Sequence, residues 1–208
     1  MNSPGLKQIL RLLGTMSNLP SIDALMPRLI TARARWGTPP PPGVIPEVPG
    51  ADQESVWDYP RPPEVRSAET TIRAYWGKVL VMETDQTLRI VETAGAPVYY
   101  APAEAWQPGV LIPNGQYSIC EWKGIATQFD LVVGNERVSW AAFSYENPLT
   151  DLGMGYERVA GWIASHPAKL VCYLGEEQVM PQPGGLYAGW ISSRVVGPFK
   201  GNHGTEHW

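Results

Sequence analysis

Cysteine is the first scarcity. The 208 residues contain two, Cys120 and Cys172, with no Cys-x-x-Cys pair. Without such a pair, and with only three histidines, a zinc site built on paired cysteines is excluded. No metal and no other cofactor is expected. So sparse a cysteine count, without a secretory pattern, fits a reducing compartment, and the expected location is cytoplasmic. Long apolar runs are also missing, and nothing approaches the roughly 18 residues of a membrane span. Lys7, Arg11, Gly14, Asn18 and Pro20 interrupt the N-terminus too often for a secretory apolar core. Its arginine-rich, acid-poor character leaves an organelle-targeting segment as the alternative. Charged residues are a modest 17% of the chain, and Phe is scarce at three.

What is abundant points to short strands and many turns. Gly and Pro number 21 each, and Trp and Tyr number nine each. Trp and Tyr have an apolar body and a polar tip, which suits half-buried sheet positions and ligand walls. Charge is unevenly placed. Residues 1–36 carry a net +4, from Lys7, Arg11, Arg28, Arg33 and Arg35 against Asp23, in a chain whose net charge is −4. The acidic remainder argues against nucleic acid as a partner.

The pattern along the chain divides it into four parts. Residues 1–37 form a basic helical arm. Leu6, Ile9, Leu10 and Leu13 predict one helix over 4–14, and Ser21 caps a second over 22–35, with Pro27 kinking it or lying in its first turn. The arm reads as a packing or dimer contact, or as an element that docks on a partner or membrane surface. Residues 38–55 form a proline-rich linker of extended character. Residues 56–178 alternate as short strands, including 71–76 and 78–83 about Gly77, then 88–92, 97–102, 117–122, 127–133, 137–145 and 169–173. Pro113-Asn114-Gly115 predicts a turn, and residues 151–166 predict the one helix of the main body. Residues 179–208 form a Gly-rich, aromatic tail packed on that body. The expected fold is mainly β: a compact antiparallel barrel or tent-like sheet with one helix near its C-terminal end.

An ordered series of motifs runs through the body. It begins with Trp57-Asp58-Tyr59-Pro60-Arg61-Pro62-Pro63 and continues through Glu92-Thr93, Pro97, Tyr99-Tyr100 and Pro102. Cys120-Glu121-Trp122-Lys123-Gly124, Ala141, Ser144-Tyr145 and Pro148-Leu149 follow. This series resembles domain-of-unknown-function family 427 over roughly residues 57–178. The resemblance implies a sheet of the Mss4-like or β-tent type, without the two zinc knuckles of the best-known relatives. The nucleotidyltransferase-like label sometimes given to the family has no counterpart here. No Gly-Ser motif with paired Asp is present to hold magnesium and a triphosphate.

The chemistry concentrates at Cys120 and Lys123. In a strand, period 2 puts Cys120 and Trp122 on one face and Lys123 on the other, unless a bend at Gly124 returns the ammonium toward the sulfur. An ammonium beside a thiol favours the thiolate. Against this stands an inert buried thiol, with Lys123 paired to Glu121. Glu92 is expected to face Lys123 or Arg89, as a general base or, by preference, as one half of a salt bridge. Only one of the neighbours Tyr99 and Tyr100 can face a given site, and Tyr145 lies at a strand end where its hydroxyl reaches a rim. His203, Glu206 and His207 invite a metal reading but fit a solvated tail better.

Three functions follow. The favoured one is a pocket for an anionic small molecule, lined by Tyr99 or Tyr100, Trp122, Lys123 and Tyr145, with Glu92 as charged partner. The second is an enzyme with Cys120 as nucleophile and Lys123 lowering its pKa, with Glu92 as the other candidate catalytic residue. The third is a structural or protein-interaction module, including a homo-oligomer.

Overall fold

The computed structural model describes residues 14–15, 19–37, 39–206 and 208. Among the described residues the first elements are β1 (Gly14–Thr15) and a single α-helix, α1 (Ile22–Arg33). Then come β2 (Glu54–Ser55), β3 (Glu64–Ala68), β4 (Ile72–Trp76), β5 (Val79–Thr84), β6 (Thr87–Glu92) and β7 (Gly95–Ala101). The long strands β8 (Leu111–Cys120), β9 (Gly124–Val133) and β10 (Glu136–Ser144) follow. The last elements are β11 (Ile163–Ser165), β12 (Val171–Leu174), β13 (Glu177–Gln178), β14 (Met180–Pro181), β15 (Trp190–Ile191) and β16 (Val195–Val196).

Eight strands form one sheet in the order β1-β8-β9-β10-β11-β7-β6-β3, and four form another in the order β13-β12-β4-β5. Both are antiparallel throughout. Among the described residues β1 and β3 end the larger sheet, so of the expected barrel or tent-like sheet the closed barrel does not form, and two open sheets stand in its place. The small sheet packs on one face of the large one. Ile72, Ala74, Val81 and Met82 meet Tyr99, Ala101, Leu131 and Trp190 there in a single core. The opposite face carries Ile90, Tyr100, Ala126 and Tyr145. Period 2 along β7 explains the split: Tyr99 enters the core against Trp190, with ring centroids 5.1 Å apart, and Tyr100 points the other way.

The helix expected over 151–166 does not form. Gly153, Gly155 and Gly161 adopt positive φ of 63°, 74° and 72°, and only Tyr156–Val159 makes a short 3-10 turn. Ile163–Ser165 instead becomes β11, fully buried between β10 and β7, where sheet pairing outweighs any local helical preference. The turn expected at Pro113-Asn114-Gly115 is a bulge inside β8, and the register with β9 shifts between Pro113 and Tyr117.

The first helix of the expected arm, over 4–14, lies outside the described residues apart from Gly14, which is in β1. The second is α1, capped by the Ser21 side chain and carrying Pro27 inside it. It lays Leu25 and Leu29 against Tyr117 and Ile119 of β8. The proline-rich stretch runs along the C-terminal segment rather than free of it. The Glu47 N–H donates to the Gly197 carbonyl at 2.8 Å, and β2 pairs with β16 in parallel. Trp208 lies against Trp57, with ring centroids 5.7 Å apart.

Candidate functional site

The face of the large sheet away from the main core holds a cavity of about 560 Å³. β6 and β7 give it Ile90, Glu92, Val98 and Tyr100. β8 and β9 give Ser118, Cys120 and Gln128. Phe143 and Tyr145 come from β10 and its end. Trp36, after α1, and Tyr187 and Lys200, from the C-terminal segment, complete the wall. The structure therefore brings Glu92, Tyr100, Cys120, Trp122, Lys123 and Tyr145 around one space. Tyr99 is separate. It lies in the core and borders a smaller polar pocket with Arg89 and Glu54.

Lys123 reaches the cavity because the strand ends before it. Cys120 pairs with Gly124, so residues 121–123 form the tight link between β8 and β9. Gly124, at φ 90°, supplies the backbone bend that other residues resist. The Lys123 ammonium stands 5.8 Å from the centre of the Tyr145 ring, a cation–π distance. It forms no ion pair among the described residues. The Glu121 carboxylate instead accepts the Trp36 indole N–H at 2.9 Å, and the Glu121 carbonyl accepts from Arg33 Nε at 2.7 Å. Burial works against the Lys123 charge. Cys120, Tyr145, Tyr100 and Glu92 outweigh it and hold the pKa well above the ordinary lysine range.

Glu92 faces neither of its expected partners at contact distance. Its carboxylate accepts from Lys200 Nζ at 2.6 Å and lies 3.5 Å from Arg61 Nε. Arg89 is committed elsewhere, bonded through both terminal nitrogens to Glu54 at 2.7 and 2.8 Å. Burial raises the Glu92 pKa, but Lys200, Lys123 and Arg61 together bring it below the usual carboxylate value. A carboxylate so firmly ionised is a weak general base and a good counter-ion. Burial lowers the Lys200 pKa, and Glu92 opposes that shift.

Cys120 departs from the activated thiol that its neighbour suggested. Burial pushes its pKa up, and Lys123 only partly offsets this. Tyr145 also has its pKa raised, by burial first and by Cys120 next. Alkylation with iodoacetamide is therefore expected to follow a Cys120 titration above the free-thiol value of about 8.5. A midpoint below that value, read by mass spectrometry across pH, would restore the nucleophile. Cys172 is a core thiol, and both cysteines are free.

Trp140 borders the same cavity in an unusual conformation. Its φ is 60°, and the β10 register against β9 shifts between Val138 and Ala142. A bulky residue in the left-handed region costs about 1–3 kcal/mol and persists only where its surroundings impose it. Here Asp130 imposes it. The Asp130 carboxylate accepts the Trp140 backbone N–H at 3.0 Å, Asn114 Nδ2 at 2.7 Å and Arg137 Nε at 2.7 Å.

Sequence reasoning missed Trp36, Arg61, Trp140, Tyr187 and Lys200. One signal was there to be read: Phe199-Lys200-Gly201 repeats the aromatic-Lys-Gly pattern of Trp122-Lys123-Gly124, and both lysines border the cavity. Among the described residues, no cluster of His, Cys, Asp and Glu could hold a metal ion, and no helix is long and apolar enough to cross a membrane. His207, part of the metal reading of the tail, lies outside the described residues.

No curated protein matches the chain. One family model does, over residues 64–175, more than half of the length. The motifs from Glu92 to Leu149 fall within that match, and the aromatic-proline stretch at 57–63 lies just before it. The chain belongs to the family described as a domain of unknown function, DUF427.

Proposed function

We propose that this protein binds a small anionic molecule in the cavity, with the anionic group on Lys123. The observation that carries the reading is a buried lysine, 9% exposed, on a cavity wall and without an ion pair among the described residues. Glu92 is already matched by Lys200 and Arg61, so the ammonium of Lys123 is left over. A ligand carboxylate or similar anion would give that ammonium a direct, charge-assisted partner. The aromatic walls, with a few polar groups converging between them, suit such a ligand. The two open antiparallel sheets support a β-tent arrangement of the Mss4-like type as the frame. Two unpaired thiols support a cytoplasmic setting.

The test is a titration with hexanoate and with neutral hexanol, followed by tryptophan fluorescence. Hexanoate is expected to bind more tightly. A charge-assisted hydrogen bond contributes about 1.5–3 kcal/mol, so Lys123→Met is expected to weaken hexanoate by about 10–100-fold and to leave hexanol unchanged. Equal affinity of the two probes for the unmodified protein would remove the proposal.

A further inference from the structure

The charges around the cavity are few, and their sum limits what can enter. Trp36 gathers several of them. The face of its ring meets the Arg61 guanidinium 4.0 Å and the Lys200 ammonium 5.4 Å from its centre, and its N–H donates to the Glu121 carboxylate at 2.9 Å. Glu92 ties the same two cations together, accepting from Lys200 Nζ at 2.6 Å and standing 3.5 Å from Arg61 Nε. Lys123 follows Glu121 by two residues on the same tight link, and through space it helps to lower the Glu92 pKa.

Among the described residues these five form one group, in which the cations Arg61, Lys123 and Lys200 face the carboxylates of Glu92 and Glu121. One positive charge is in surplus. Lys169 also borders the cavity, but it is exposed and water screens it. A monoanion against Lys123 brings the group to neutrality. A dianion would leave a net negative charge beside two carboxylates and away from water. Attraction to Lys123 grows in proportion to the charge of the ligand, but the cost of taking that charge out of water grows with its square. The second negative charge is therefore a loss.

We propose that the cavity selects ligands of single negative charge, a monocarboxylate on an apolar body, and rejects phosphate monoesters and nucleotides, with Glu92 and Glu121 setting that limit. This rests on the anion-binding reading above and narrows it to one class of anion.

The experiment uses the full chain at pH 8, above both the second pKa of a phosphate monoester, about 6, and the usual histidine value of about 6.5. The probes share a six-carbon chain: hexanol, hexanoate, methyl hexyl phosphate (a monoanion) and hexyl phosphate (a dianion), each followed by tryptophan fluorescence. Hexanoate and the diester are expected to bind more tightly than hexanol. Hexyl phosphate is expected to bind about tenfold or more weakly than the diester, the effect of one like-charge contact at partial burial. The diester has the larger head, so size alone gives the opposite order. Glu121→Gln keeps an acceptor for the Trp36 N–H and removes one negative charge, so it should bring hexyl phosphate level with the diester or above it. Glu92→Gln is the second variant and should shift the ratio the same way. Damage to the fold would move both phosphates together, whereas the charge moves their ratio. Hexyl phosphate binding to the unmodified protein as tightly as the diester, or a ratio that neither variant shifts, would overturn the single-charge limit, while a preference for hexanoate over hexanol would keep the anion site. If hexanoate and the diester bind no better than hexanol, both readings fall.

Discussion

Glu92→Ala is expected to destabilise the protein by about 3–5 kcal/mol, the range found when one partner of a buried ion pair is removed. Its side chain is 18% exposed, but those of the cations it serves are deeper, 2% for Lys200 and 7% for Arg61. Removing the anion leaves two buried cations facing each other, with Lys123 nearby. The penalty is that of uncompensated charge, larger than the value of one hydrogen bond. Glu92→Ala with Lys200→Met should therefore recover much of the loss, because an apolar replacement of both partners is often close to neutral. Denaturant melts of the single and double variants measure this. A double variant no more stable than Glu92→Ala would mean that the ion pair is not the source. The same pair sets an acid response. The folded-state pKa of Glu92 is lowered, chiefly by Lys200 against the burial that raises it. The stabilisation is therefore fully present above the unfolded carboxylate value of about 4.3 and is lost as pH falls through the lower folded value. Glu92→Gln should flatten the acid limb of the stability curve.

The parts of this arrangement that sequence revealed are those governed by short-range rules. Alternation placed Tyr99 and Tyr100 on opposite faces, and the structure sends one to the core and the other to the cavity. The glycine after Lys123 signalled a bend, and the bend returns the ammonium to the side of Cys120. Local rules failed where distant pairing decides. Residues 163–165 look helical in isolation, yet the gap between β10 and β7 takes them as a strand. Pro113-Asn114-Gly115 carries turn residues, but Asn114 spends its amide on Asp130 and the strand continues past it. The partner of Glu92 was the hardest to see. Lys200 lies 108 residues away, and neither its spacing nor its neighbours announce a carboxylate. Nothing local distinguishes Trp140 from a plain alternating strand residue, since its conformation comes from Asp130 across the hairpin.

Gly201→Ala is expected to release the C-terminal segment from the cavity wall. Gly201 has φ 127°, and a β-carbon there would lie 2.2 Å from the Pro183 carbonyl oxygen. That contact is with backbone, so no side-chain rotation relieves it. The reciprocal position is as close, since a β-carbon on Gly184 would meet the Gly201 oxygen at 1.8 Å. Backbone strain and overpacking each cost about 1–3 kcal/mol, so the sum is about 2–6 kcal/mol. For a chain of this size that lowers Tm by about 5–20 °C. Gly185→Ala is the control: its φ is 65° but nothing lies within 4 Å of the added carbon. It should cost only about 1 kcal/mol from the backbone conformation. The two variants also differ in where they open. Lys200 is 1% exposed, held by its N–H to the Ala94 carbonyl at 2.8 Å and by its ammonium to Glu92. Trypsin cannot reach it while Gly201 keeps its fit against Pro183. In Gly201→Ala, cleavage after Lys200 should precede global unfolding; in Gly185→Ala it should not. Equal melting temperatures and equal cleavage in the two variants would show that the close backbone approach does not hold the segment. With the segment released, Glu92 loses Lys200 and the cavity loses one wall, so under the binding proposal hexanoate affinity should fall in Gly201→Ala although no side chain of the cavity has changed.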